Sequence, residues 1–262
     1  MSKSWLGLEE KVIVITGGAS GIGAQLSKTL QQEGAVVVIA DHNVNTGEMR
    51  DGACCVRCDV IRRESAEEMV RTVVNRFGRL DALVNCVGAQ SEKVLLDEEH
   101  PERELDEVTF AMMWGVNVKS VYICAQAAAR RMKQQGGGTI LNICVSSGEG
   151  QSVYAAMKGA VQGLTQGWAG ELERYSIRVV GCTAQGTAAN GQNFQGVLAA
   201  LNGAHAGAAM QGRSMGQEGE SAGLSDLAAY LLSDKAEAAS GTIVEIQENR
   251  RMGSDARMTV YG

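Results

Sequence analysis

An α/β fold, a doubly wound parallel sheet of about seven strands with helices on both faces, is predicted by three features of the sequence. Runs such as KVIVIT (11–16) and AVVVIAD (35–41) are almost continuously apolar and β-branched, as strands buried on both faces must be. Stretches of helical period separate these runs, and alternating strands and helices build parallel sheets. A glycine-rich turn, TGGASGIG (16–23), follows the first strand, and the second strand ends in an acid. That is the layout of a Rossmann-type nucleotide-binding unit. Residues 1–262 are read as one domain of this kind.

The remaining elements follow in order. A helix occupies 21–32, and ACCVRCDV (53–60) is the third strand. ESAEEMVRTVVNRF (64–77) is a helix and LDALVNCVG (80–88) the fourth strand. Residues 90–107 form an acidic insertion, read as a solvated surface segment. VTFAMMWGVNVKSVYICAQAAARRM (108–132) gives one long helix or two consecutive ones. GGTILNICV (137–145) is the fifth strand, 153–175 a helix, IRVVGCT (177–183) the sixth strand and GTIVEI (241–246) the seventh. The glycine- and alanine-rich segment 184–219 has no clean period and is expected to be a substrate lid.

Composition excludes several function classes. At 45% hydrophobic, 262 residues can bury a sizeable core. No run of 18 uncharged apolar residues occurs, so no membrane span is expected. MSKSWLGLEEKV puts charge where a signal peptide needs an apolar stretch, which predicts a cytoplasmic protein. The net charge of −6, with both signs mixed along the chain, disfavours nucleic-acid binding, which wants a concentrated basic face. The seven cysteines are scattered through apolar segments and read as reduced core thiols. The spacing Cys55-x-x-Cys58 lacks the second pair of a metal site. Pro101 is the only proline, so the turns rest on other residues.

The glycine turn points to a dinucleotide. Gly17, Gly21 and Gly23 let the backbone turn sharply and approach a pyrophosphate, whose charge the helix start favours. Ser20 and Ile22 of the same turn are counted among its contacts. Asp41 can accept hydrogen bonds from the adenosine ribose and would repel a 2′-phosphate. The turn carries no Arg or Lys to welcome one, so NAD is expected rather than NADP. Asp59, at the end of the third strand, is placed for the adenine amino group or is a solvated loop acid.

Tyr154 and Lys158, at i and i+4, share one helix face. A free phenol, with pKa near 10, is a poor base at neutral pH. A nearby ammonium favours the phenolate and eases proton abstraction. With TGGASGIG, Asp41, CDV (58–60), NCVG (85–88), VN (116–117), YAAMK (154–158) and IRVV (177–180) in order, the chain resembles the short-chain dehydrogenase/reductase family. The resemblance implies that Tyr154 is the general acid/base and that Lys158 binds the nicotinamide ribose. It implies that Asn117 holds a water linking Lys158 to solvent. Val60, Asn85 and Gly88 are implied cofactor contacts, and Thr187 is a candidate for the nicotinamide amide. It also implies a homotetramer built through the long helices after strands four and five.

Within the family, LLDEEHPERELDEVTF (95–110) and EGQSVYAAMKGA (149–160) are most similar to members acting on a hexitol phosphate. The implied reaction oxidises a secondary alcohol, sorbitol 6-phosphate, to the ketone fructose 6-phosphate. Lys93, Arg213, Arg250 and Arg251 are either phosphate cations or solvated surface charges, and the sequence does not choose among them.

The chain departs from the family at the fifth strand. Val145 occupies the place of the catalytic serine. Ser146 substitutes only if the strand end shifts by one residue, which reverses side-chain direction. It is the preferred candidate; Ser147 and no hydroxyl at all stay open. The usual proline-glycine after strand six is AQG (184–186). Three other readings stand beside this one: a related enzyme for another polyol, sugar or hydroxy compound, a non-enzymatic NAD-binding module, and an unrelated nucleotide-binding structural protein. The last leaves Tyr154 and Lys158 unexplained.

Overall fold

Strand polarity decides where the ligand crevice lies. The computed structural model describes residues 5–144, 152–185, 192–193, 222–247 and 257–261. Its first half contains β1 (Val12–Thr16), α1 (Gly21–Gln32), β2 (Val36–Asp41), β3 (Met49–Arg50), β4 (Ala53–Arg57), α2 (Arg63–Phe77), β5 (Ala82–Asn85) and β6 (Ala89–Gln90). Then come α3 (Glu107–Trp114), α4 (Ser120–Gln135), β7 (Gly138–Ile143), α5 (Ser152–Glu173) and β8 (Ile177–Gln185). The last elements are β9 (Gln192–Asn193), α6 (Ala222–Leu232), β10 (Ile243–Gln247) and β11 (Arg257–Tyr261).

The main sheet runs β11-β10-β8-β7-β5-β1-β2-β4-β3. Its seven central strands, β10 to β4 in that order, are all parallel. These are the seven strands expected from the apolar runs. The chain builds outward from β1 through β2 to β4, then returns to β5 on the other side of β1. This reversal puts the binding crevice beyond the carboxyl ends of β1 and β5.

Both faces of the sheet are covered. One core layer joins Ile13, Ile15 and Val84 to Leu26 and Leu30 of α1 and Leu227 and Leu231 of α6. The other joins Val14, Leu83 and Ile140 to Met69 of α2, Ile123 of α4 and Ala169 of α5. Every residue of β1 is buried. Each such Val or Ile contributes about 1.5–3 kcal/mol.

Two edge strands were not anticipated. β3 and β11 pair antiparallel to their neighbours. β3 is formed by a two-residue turn, Asp51-Gly52, with φ of +47° and +86°. Asp-Gly with both φ positive suits the hairpin twist.

The α3–α4 stretch is continuous from Glu107 to Gln135, through a wide π-turn at Gly115–Lys119. That run is long and apolar enough to cross a membrane by length and composition, but its most apolar window is 56% buried. It lies across the sheet as a core helix. Asp106 starts it, accepting from the Thr109 N–H at 2.7 Å and the Thr109 hydroxyl at 2.8 Å. These donors and Lys93 hold the Asp106 carboxyl well below the usual carboxylate range, the Lys93 bond contributing most.

A buried polar chain ties the sheet to α5. Asn85 Nδ2 donates to Asn142 Oδ1 at 2.9 Å, and Asn142 Nδ2 donates to Thr165 Oγ1 at 2.8 Å. Thr165 in turn donates to the Val161 carbonyl at 2.8 Å. Buried amides must find partners, and here each partner lies on the next element. The helix bearing Tyr154 and Lys158 is thereby fixed in height against β5 and β7.

Candidate active site

The glycine turn has the form a pyrophosphate needs. Gly17 and Gly21 have φ of +69° and +53°, a region that side chains rarely adopt. A Cβ on Gly23 would come within 2.4 Å of the Gly17 carbonyl oxygen, so only glycine lets α1 pack onto the turn. Ser20 at the helix start makes no side-chain cap, and Ile22 is half-buried beside it. The first-turn amides are thus left for an anion.

At the end of β2, Asp41 is buried and accepts from Ala19 N at 3.3 Å and Asn43 N at 3.0 Å. Its carboxylate therefore sits directly against the phosphate turn. Asp59 lies two residues past β4 rather than within a strand. Its Oδ1 accepts from Ile61 N at 3.2 Å, and half-buried Val60 follows it. The residues present thus fit a bound dinucleotide. Asn85 reaches the same rim, and its Nδ2 donates to Asn142 Oδ1, which ties its side chain to the sheet.

The chemical end converges on Gly88. A Cβ added there would lie 3.2 Å from Lys158 Nζ and 3.4 Å from both Asn117 Oδ1 and the Tyr154 hydroxyl. Three polar groups from two helices thus surround one backbone position just past β5. Tyr154 is 3% exposed and Lys158 5%. The Lys158 ammonium lies 5.4 Å from the Tyr154 ring centroid, as one helical turn predicts. Among the described residues Lys158 makes no ion pair.

Asn117 sits within the π-turn, a distortion that frequently marks functional sites. Its Nδ2 donates to the carbonyls of Ala89 at 2.8 Å and Met113 at 2.9 Å, while Oδ1 accepts from Ala89 N at 3.1 Å. The side chain pins the segment after β5 to the long helix. This strap role was not visible in the sequence, where VN (116–117) carried no signal of a widened turn.

Two thiols border the site. Burial pushes the Cys86 and Cys144 thiols up to about 12, against an opposing pull from Lys158. All seven cysteines are free, and all but the half-buried Cys86 are buried. The expectation of core thiols holds.

Other expected residues are placed differently or lie outside the described residues. Lys93 is not a free cation: its ammonium binds Asp106 Oδ2 at 2.7 Å and the Glu104 carbonyl at 3.2 Å. The insertion it belongs to is closed by a bridge between Val94 and Glu104. Val145, Ser146, Ser147, Thr187, Arg213, Arg250 and Arg251 lie outside the described residues, as does most of 184–219. Of that last segment, β9 pairs with β6 at the rim of the site.

Comparison with known proteins agrees with this geometry. The sequence pattern of the short chain dehydrogenase family matches residues 11–195. The chain belongs to this family. Sorbitol-6-phosphate 2-dehydrogenase of Klebsiella pneumoniae is 32% identical over 265 residues, covering 95% of this chain and 99% of that protein. Tropinone reductase-like 2 of Erythroxylum coca is 34% identical over 247 residues, covering 89% and 88%. Among solved structures, a hydroxysteroid dehydrogenase from Escherichia coli superposes with a TM-score of 0.72 at 25% identity, covering 92% of this chain and 96% of that one. The chain is thus a short-chain dehydrogenase/reductase, an oxidoreductase acting on CH–OH groups with a nicotinamide dinucleotide, NAD or NADP.

Proposed function

We propose that this dehydrogenase is NAD-dependent and interconverts sorbitol 6-phosphate and fructose 6-phosphate. The observation that carries the chemistry is the convergence of Tyr154, Lys158 and Asn117 on Gly88. Asp41 against the phosphate turn supports NAD, and near-complete coverage of the Klebsiella enzyme supports the substrate.

Gly17, Ser20, Gly21, Ile22 and Gly23 would hold the pyrophosphate, Asp41 the adenosine ribose, and Asp59 with Val60 the adenine. When bound, NAD supplies the acceptor for the hydride leaving the carbinol carbon. Tyr154, as phenolate, takes the alcohol proton, so the carbinol becomes a ketone. Lys158 favours the phenolate through its charge and holds the nicotinamide ribose. Asn117 keeps the Gly88–Ala89 segment against the helix and connects Lys158 to solvent through a water. Ser146 steadies the developing carbonyl oxygen. Thr187 contacts the nicotinamide amide.

Tyr154→Phe should lower NADH production from sorbitol 6-phosphate by about 10²–10⁴-fold. A variant turning over at the native rate would refute the role. Exposed Phe110, Trp114 and Tyr122 on α3 and α4, beside an α5 face of Gly159, Gly163 and Gly167 open to solvent, support a homotetramer. Light scattering of the purified chain tests this. A cytoplasmic location completes the reading.

One observation favours a second substrate reading. Tyr154 is packed in an apolar cluster with Leu105, Met112, Met113, Val153 and Met157, which suits a less polar secondary alcohol. Steady-state rates across sugar-alcohol phosphates, free polyols and cyclic alcohols separate the two.

A further inference from the structure

The adenosine end holds a cation that the sequence order conceals. Arg50, on the edge strand β3, reaches back to the phosphate turn, with Nη1 3.5 Å from the Ala19 carbonyl oxygen. The N–H of the same residue, Ala19, donates to Asp41 Oδ2. A carboxylate and a guanidinium therefore flank one residue of the turn. Burial chiefly raises the pKa of the nearby Cys55 thiol, with Glu48 and, more weakly, Asp41 adding to the rise and Arg50 opposing it.

The guanidinium is loosely held. Its other contact among the described residues is Glu48 Oε1, 3.7 Å from Nη2, and the side chain is 38% exposed. Of five N–H donors in a fixed fork, most remain to be used. The backbone beneath it is firm by contrast. Arg50 pairs with Ala53 across the Asp51-Gly52 turn, and Gly52 lies so close to α1 that an added Cβ would meet Gln31 Oε1 at 2.6 Å.

We propose that Arg50 is a second determinant of cofactor choice: a latent ligand for a 2′-phosphate on the adenosine ribose, opposed in the native chain by Asp41. The inference rests on the dinucleotide reading of the glycine turn. Preference for NAD is then a balance of two charges on one turn residue, and removing the carboxylate tips it toward NADP. A guanidinium fork matches a phosphate in a way a lysine ammonium does not.

The test is direct titration of NADH and NADPH into the full chain, followed by fluorescence, with 2′-AMP and 5′-AMP as minimal probes. Asp41→Ser should raise the NADPH-to-NADH affinity ratio at least about tenfold, and Asp41→Ser/Arg50→Gln should return it toward the native value. Arg50→Lys in the Asp41→Ser background should keep part of the gain. If Arg50→Gln in that background weakens both dinucleotides equally, or leaves the ratio unmoved while NADH still binds, the proposal is overturned. If the native chain binds neither dinucleotide, the cofactor reading itself fails. Binding is read without turnover, so the result is independent of which alcohol is the substrate.

Discussion

The two ends of the sheet both carry cations, but in opposite electrostatic situations. At the amino ends of β1, β5, β7 and β8 lies a cavity of about 990 Å³ lined by Lys11, Arg79, Arg178, Asp81 and Asp234, in the size range of ligand sites. Its cations are engaged. Lys11 pairs with Asp234 at 2.5 Å, and Arg79 with Asp81 at 2.5 Å. Arg178 donates to the carbonyls of Leu231 at 3.3 Å, Ser233 at 3.0 Å and Ala236 at 2.9 Å. At the carboxyl ends, Lys158 is buried beside Tyr154 with no ion pair among the described residues. Pairing separates the two ends. A paired cation holds loops together, whereas a buried ammonium with no carboxylate among the described residues costs stability, and the role proposed for Lys158 at Tyr154 would be the reason to keep it.

The sharpest way to break this contrast is Lys158→Met. Turnover should fall by about 10²–10⁴-fold, because the acid/base proposed at Tyr154 loses the adjacent positive charge. Thermal stability should hold or rise, because a buried charge is removed. A variant that unfolds while its residual activity stays native would place Lys158 with the structural cations.

Asn142→Ala is expected next in size. It leaves the Asn85 amide and the Thr165 hydroxyl without each other's link, at about 1–3 kcal/mol per buried orphan. Urea unfolding measures the loss, and the KM for the alcohol should rise as α5 loosens. Arg178→Gln, at the other end, should cost about 1–3 kcal/mol in urea unfolding while turnover is retained. Loss of activity without loss of stability would erase the distinction between the two ends.

The smallest effect near neutrality concerns the thiols. Cys58 is pushed up to about 11, and Cys86 and Cys144 to about 12, chiefly by burial. The folded state then keeps protons that the unfolded chain releases near pH 9. Their contribution is complete below pH 9 and declines as pH rises toward 12. Melting temperature followed from pH 8 to 11 should be flat at first and then fall. A rise across that range would contradict the sign.

Much of this was legible in the chain. The seven parallel strands were readable because strands buried on both faces must be continuously apolar, and α1 was placed at 21–32 by the glycines before it. Tyr154 and Lys158 were legible because an i, i+4 spacing is a local property of a helix. Short-range rules did not reach β6 and β9, whose two residues each pair only because loops distant in sequence meet at the site. β3 did carry a local sign, the Asp51-Gly52 turn, which the strong strand beside it obscured.

What the sequence determined by itself was therefore periodic or local: the order of elements, the glycine turn, the acid that ends β2 and the phenol–ammonium pair. What only tertiary structure decided was which partner each polar group finds. Lys93 turned out to be bound to Asp106, Asn85 to Asn142, and Asn117 to Ala89 and Met113, while Arg50 came to rest beside the glycine turn. Hydrogen bonds and Coulomb forces act over a few ångströms of space, so the partners that satisfy a polar group are chosen by packing, and separation along the chain does not reveal them.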